Sequence, residues 1–179
     1  MARKQVIELA KEFLRRYGWS VFQEMTEPNE KQGMLAVPWK GLSGESHMLL
    51  IDPIEEKNVL IFRVPMIVKA PPEETPAARL NGLLLALGAL NYNTIIGAWG
   101  YDPRDGEVVF KFAIPTHGDA FEYEDFEHCL TVVQLTLEVE VPKLRAILDG
   151  TKTGRDIVEA EGLPMQGKPQ PEPVGPVVI

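Results

Sequence analysis

The sequence predicts a single α+β domain in which three helices pack on an antiparallel sheet of five to six strands. Apolar residues recur at helical spacing in three separate stretches of the chain. The segments between those stretches alternate apolar and polar residues and are joined by short runs of turn-forming residues. Strands connected in this way form antiparallel sheets, with helices on one face or at one end.

The first half of the chain supplies one helix and four strands. Apolar residues at helical spacing from Val6 to Tyr17 predict a first helix that ends at Gly18. The four strands that follow are predicted over residues 19–25, 34–39, 47–51 and 58–68. The cluster 27–33 and the pair Asp52-Pro53 are interpreted as turns. Because Pro65 cannot donate a hydrogen bond to a neighbouring strand, it predicts an edge or a bulge at that point.

The second half supplies two helices and a hairpin. Thr75 and Pro76 suit the start of a helix whose leucines continue to Leu90 and whose sides are nearly all apolar, so that we expect it to be buried. A hairpin follows over residues 95–114, with its turn at 102–106. A long final helix begins near Tyr123, and Pro142 predicts a kink or a break in it.

The domain is expected to span residues 1–150, followed by a flexible tail over residues 151–179. Five prolines fall between residues 162 and 179, and such a segment buries too little apolar surface to offset the entropy of ordering it. The tail nevertheless ends in three apolar residues, 177–179. An undocked tail is the preferred interpretation, and docking on the domain or on a partner is the alternative.

Composition and charge exclude several classes of function. The chain has 179 residues, of which 45% are hydrophobic, and a net charge of −8, which disfavours binding to a nucleic-acid backbone. Its one cysteine cannot form an internal disulfide, and no signal peptide is apparent, so a cytoplasmic location is expected. The uncharged stretch Leu80 to Tyr101 has a continuous apolar part of only residues 82–90, and a membrane span needs roughly 20 residues. We therefore expect neither a nucleic-acid nor a membrane partner.

Part of the chain resembles a known family. The leucine-rich helix from Leu80-Asn81 to Leu90-Asn91 and the hairpin strands 96–102 and 108–112, ending near Pro115, resemble the YbjN family, whose fold is similar to that of type III secretion chaperones. The resemblance covers about residues 4–149. It implies a chaperone-like fold and a small homodimeric protein that works by binding a protein client or a regulator. It carries no catalytic residues.

No catalytic, cofactor or metal site is predicted. His128 and Cys129 are neighbours on a helix, where adjacent side chains point about 100° apart, and Cys129 is interpreted as a core residue. The acidic residues near 122–127 suit a helix N-terminus. The glycines at 97 and 100 fall within a strand, so they do not form a phosphate-binding loop.

An excess of apolar residues on the strands predicts an interaction surface instead. If helices cover only one face of the sheet, the other face needs a partner. The alternative is that the helices wrap both faces and that these residues are core. The candidate surface consists of Trp39, Met66, Leu83, Leu87, Trp99, Phe110 and Phe112.

Two functions follow from these observations. The first is a non-enzymatic, homodimeric module, chaperone-like or regulatory, that binds a protein partner through its apolar sheet and helix surface. The second is a small-molecule-binding protein or an enzyme with a pocket between the sheet and the helices. That pocket would need polar groups such as His47, Arg63 and His117 to converge.

Overall fold

In the computed structural model, which describes residues 3–25, 33–116 and 121–163, a six-stranded antiparallel sheet is combined with four α-helices. The elements in chain order are α1 (Arg3–Tyr17), β1 (Gln23–Met25), β2 (Met34–Lys40), β3 (Ser46–Ile54), β4 (Val59–Lys69), α2 (Ala77–Asn93), β5 (Ala98–Asp102), β6 (Glu107–Pro115), α3 (Tyr123–Asp149) and α4 (Gly154–Ala160). The strand order is β1-β2-β3-β4-β6-β5. The predicted α+β class with an antiparallel sheet is confirmed, and the helices number one more than expected.

The helices pack on one face of the sheet because one set of alternating strand residues is large and apolar. Leu60, Phe62 and Val64 of β4 are almost fully buried on that face. The ring of Phe62 stacks on Phe112 of β6, with centroids 4.6 Å apart. It also meets the edge of Phe126 of α3 at 5.4 Å. Aromatic pairs in these geometries add to the stabilisation that burial provides.

Pro65 lies in an interior strand, and a β-bulge accommodates it. The pairing of β4 with β6 shifts register between Val64 and Val68. Within the bulge Met66 takes a positive φ of 54°, which is uncommon for a residue with a side chain. The carboxylate of Glu107 accepts a hydrogen bond from the Met66 backbone N–H at 3.1 Å and one from the Arg63 guanidinium at 2.7 Å. Of the two predicted outcomes at Pro65, the structure shows the bulge.

Three local predictions differ from the structure. Strand β3 runs through Asp52-Pro53 to Ile54, so the turn expected there lies at residues 55–58. Strand β1 is shorter than predicted, and the turn cluster 27–33 lies outside the described residues except for Gly33. Helix α3 runs from Tyr123 to Asp149 through Pro142, so of the two outcomes predicted there, a kink or a break, the break does not occur.

The flexible tail expected after residue 150 instead begins with an ordered helix, α4. Thr153 and Asp156 form a reciprocal capping box at its start. Ile157 and Val158 are buried among residues of the main domain. Helix α4 also approaches α2 so closely that a Cβ atom on Gly154 would overlap the carbonyl oxygen of Gly82. Residues 164–179, the proline-rich remainder of the tail, lie outside the described residues.

The contact between α2 and α4 gives a first prediction. Gly154→Ala places a methyl group against the Gly82 backbone, which cannot move as a side-chain end could, so α4 should be displaced. We expect the free energy of unfolding to fall by about 1–3 kcal/mol in urea titrations, the usual cost of overpacking. Amide hydrogen exchange at Ile157 and Val158 should become faster. Arg155→Ala, an exposed change in the same helix, is the control. Unchanged exchange in Gly154→Ala would contradict the packing.

Candidate protein-interaction surfaces

One side of α2 is uncharged and exposed to solvent. We call it the α2 stripe, and it consists of Asn81, Leu84, Leu85, Gly88, Tyr92 and Ile95, the last just beyond the helix end. Leu84 and Leu85 are 42% and 40% exposed, and Tyr92 and Ile95 are 78% and 97% exposed. A Cβ atom on Gly88 would meet nothing within 4 Å, so the centre of the stripe is open. A contiguous apolar patch of this kind on a soluble protein usually marks an interaction site.

The opposite side of α2 fixes the position of the stripe. Leu83, Leu87 and Leu90 are buried in the core. Asn91 binds the Trp99 backbone of β5 twice, accepting from the N–H at 2.7 Å and donating to the carbonyl at 3.0 Å. Its side chain thus substitutes for a neighbouring strand at that position. Because β5 is an edge strand, the helix and its stripe are held at one edge of the sheet.

A second surface is the face of the sheet opposite the core residues of β4. We call it the open sheet face, and its apolar members are Met34, Ala36, Pro38, Met48, Leu50 and Ile61. Strand pairing places Leu50 opposite Arg63, and Arg63 in turn opposite Lys111. Met48 is 39% exposed. Methionine side chains adapt their shape to different partners, and the charged residues on this face, which include the Arg63–Glu107 pair, can form polar contacts at its margin.

The third surface is a groove along the outer side of α3, which we call the α3 groove. It encloses about 600 Å³ between the end of α2, the loop that follows it, the middle of α3 and the end of α4. Leu135 and Val139 on its floor are 56% and 55% exposed. The apolar residues that line it are Leu90, Ile95, Ile96, Val132, Leu135 and Val139. The polar lining residues include His128, Glu140 and Glu161.

Most of the residues predicted as an interaction surface lie in the core of the chain. Leu83, Leu87, Trp99, Phe110 and Phe112 are each less than 10% exposed. Their side chains therefore pack inside this chain and do not form a surface for a partner. On α2 the exposed residues Leu84 and Leu85 directly follow the buried Leu83 in the sequence and lie on another side of the helix.

The other two predicted residues keep some exposure. Trp39 is half-buried, stacked on Trp19 at 5.7 Å and in ring contact with His47 at 4.9 Å. Met66, in the bulge, is 53% exposed. Neither belongs to the α2 stripe, so the structure does not bring the seven predicted residues together as one surface.

The polar groups proposed for a small-molecule pocket are not brought together either. His47 lies on the helix-covered face of the sheet, where burial lowers its pKa. Arg63 lies on the open sheet face and bonds to Glu107. The sheet therefore separates the two side chains, and His117 lies outside the described residues.

The remaining reactive groups of the described residues form no recognisable catalytic set. Cys129 is half-buried, and burial, with a smaller contribution from the charge of Asp125, raises its pKa to about 11. Its neighbour His128 lines the α3 groove. Within residues 3–25, 33–116 and 121–163, no three metal-ligating side chains cluster closely enough to hold an ion. None of the helices in that part of the chain is both long and apolar enough to span a membrane.

Comparison with known proteins relates the chain to others through its fold. No protein-family model and no curated protein matches the sequence. A chain from the structure of the HopA1–SchA chaperone–effector complex superposes with a TM-score of 0.50 at 11% identity, covering 77% of this chain and 95% of that one. A chain from the crystal structure of the ExsC–ExsE complex gives a TM-score of 0.51 at 15% identity, covering 79% and 95%. These neighbours are type III secretion chaperones, and this protein has their fold, whereas membership of the YbjN family stays a prediction.

Proposed function

We propose that this protein is a non-enzymatic, chaperone-like or regulatory module that forms a homodimer through the α2 stripe and binds a protein partner on the open sheet face. The observation that carries the proposal is the α2 stripe itself. It is uncharged and apolar over three helical turns on a protein whose net charge is −8. A cytoplasmic location belongs to the same proposal.

Self-association suits the α2 stripe for physical reasons. Two chains of charge −8 repel each other, and that repulsion is weakest where the contact surfaces carry no charge. A two-fold dimer uses the same patch twice, so an apolar stripe is complementary to its own copy. Gly88, at the centre of the stripe, leaves room for a second helix to approach at the short end of the usual 8–10 Å interaxial distance.

A protein partner suits the open sheet face. The face is broad, it combines adaptable methionines with two cations, and it lies on the other side of the sheet from the helices. One of the similar structures is a chaperone–effector complex, which supports a protein as the partner here. A pocket between sheet and helices is not proposed, because His47 and Arg63 lie on opposite faces.

A reactivity test addresses the non-enzymatic part of the proposal. Because burial raises the pKa of Cys129 to about 11, the thiolate, which is the reactive form, is only about 0.1% of the thiol near pH 8. We expect iodoacetamide to label Cys129 in the folded protein on the order of 100-fold more slowly than in urea, where the pKa returns to about 8.5. Labelling as fast as in the unfolded chain would contradict the raised pKa, and labelling faster than in the unfolded chain would indicate an activated nucleophile instead.

The dimer is tested by placing charge in the α2 stripe. We expect light scattering at micromolar concentration to give about twice the 20.0 kDa mass of one chain. Leu84→Asp combined with Leu85→Asp should give the mass of a single chain, since both copies would bury unpaired carboxylates. Leu42→Asp, at a 93% exposed turn between β2 and β3, should leave the dimer intact. A wild-type protein that runs as a monomer would refute the proposal.

The partner surface is tested separately from the dimer. Met48→Asp puts a carboxylate in the apolar part of the open sheet face, and we expect it to abolish capture of a partner from native cell extract while the dimer mass is unchanged. Leu42→Asp provides the matched control, with the same charge change at a nearby exposed turn. A partner retained equally by both variants would exclude the open sheet face as its binding site.

A further inference from the structure

The described chain ends at the rim of the α3 groove. Glu161, which follows α4 and lines the groove, accepts a hydrogen bond from Lys143 at 2.7 Å through its carboxylate. Its backbone carbonyl accepts one from the Asn93 side chain at 2.9 Å. Helix α4 is in turn held against α2 through the contact between Gly154 and Gly82. The residues after Leu163 therefore start from a fixed point beside the groove.

The α3 groove is mainly apolar, and the acidic residues that line it are ion-paired. Leu135 and Val139 are more than half exposed along its floor, and Ile95 is 97% exposed at its edge. Two carboxylates line it, from Glu140 and Glu161, and both pair with Lys143 at 2.7–2.8 Å. The groove thus favours an uncharged, apolar occupant. Its volume of about 600 Å³ falls in the usual range of roughly 300–1,000 Å³ for pockets that bury a ligand.

The sequence after Leu163 has the chemistry of such an occupant. Residues 164–179 comprise 16 residues with five prolines, and they carry only two charges, Lys168 and Glu172, which cancel. No side chain in residues 173–179 is charged, and this stretch contains the apolar run Val177-Val178-Ile179. Proline-rich segments lose little entropy on binding because they are already restricted to an extended conformation.

The length of the segment is also sufficient. At about 3.1 Å per residue in an extended proline-rich conformation, residues 164–176 reach up to about 40 Å. The part of α3 that lines the groove, residues 128–140, is about 20 Å long at 1.5 Å per residue. The segment is thus long enough to turn back and lie along the groove beside which it starts.

We propose that residues 164–179 dock in the α3 groove of their own chain, with Val177, Val178 and Ile179 against Leu135 and Val139. The groove is then occupied in the free protein. A partner segment of the same chemistry, uncharged and apolar after prolines, would bind it only by displacing the chain's own. The groove shares Ile95 with the α2 stripe and shares no residue with the open sheet face.

The experiment compares the full chain with a chain truncated after Leu163, by methyl NMR. We expect the methyl signals of Leu135 and Val139 to differ between the two forms. A synthetic peptide of residues 164–179 added to the truncated chain should move them saturably to the full-chain positions. The triple substitution Val177→Asp, Val178→Asp and Ile179→Asp in the full chain should reproduce the truncated spectrum. Gln170→Asp, in the same segment but outside the apolar run, should not.

Other results would overturn the docking. Groove methyl signals that are identical in both forms would show that the segment does not occupy the groove. A peptide that instead shifts the methyl signals of Leu84, Leu85 or Met48 would bind elsewhere. If the difference between the full and the truncated chain disappears on dilution, a second copy supplies the segment. The same comparison is repeated with Leu84→Asp and Leu85→Asp introduced into both the full and the truncated chain. Because neither of these forms should dimerise, any remaining difference between their groove signals reports docking alone.

Discussion

The contact between Phe126 of α3 and Phe62 of β4 is the one on which the rest of the architecture depends. Phe126 is fully buried, and the same ring packs against Phe13 of α1 at 5.5 Å, so it joins α1 and α3 to the middle of the sheet. Phe62 in turn stacks on Phe112 of the next strand. Because these rings lie on one face, the helices are drawn to that face and the other is left to solvent or to a partner.

Helix α2 lies at the edge of the sheet because α1 and α3 cover its middle. With α1 and α3 over the centre, α2 reaches the sheet only beside β5, where Asn91 binds the Trp99 backbone. It buries one side there, and α4 packs against it through the Gly154 contact. Its remaining side has no neighbour in the described chain, which is why the α2 stripe stays apolar and exposed at once.

The sequence was sufficient for the fold class but not for the candidate surfaces. Alternation and turn residues located the strands, since those signals are local. On a helix as uniformly apolar as α2, periodicity cannot tell which side faces the core, so the predicted Leu83 and Leu87 are buried while their neighbours Leu84 and Leu85 are exposed. Helix α4 was missed because seven residues are too short to show a clear helical pattern. The helix is stabilised by tertiary packing, through burial of Ile157 and contact with α2. The separation of His47 from Arg63 depends on which alternate residues of β3 and β4 face the helices, and alternation does not show this because both strands are apolar at most positions.

The distribution of charge determines which kind of partner the α2 stripe and the open sheet face favour. A protein of net charge −8 keeps its copies apart unless they meet through uncharged surface, and the chain concentrates such surface in α2 and the loop that follows it. The open sheet face differs, because Arg63 and Lys111 lie opposite each other there, although Glu107 pairs with Arg63. A neutral surface favours contact with an identical acidic chain, whereas the open sheet face, which combines apolar side chains with charges of both signs, favours a partner of different sequence. The α2 stripe and the open sheet face are therefore suited to different partners, and both can be occupied at once because they share no residue.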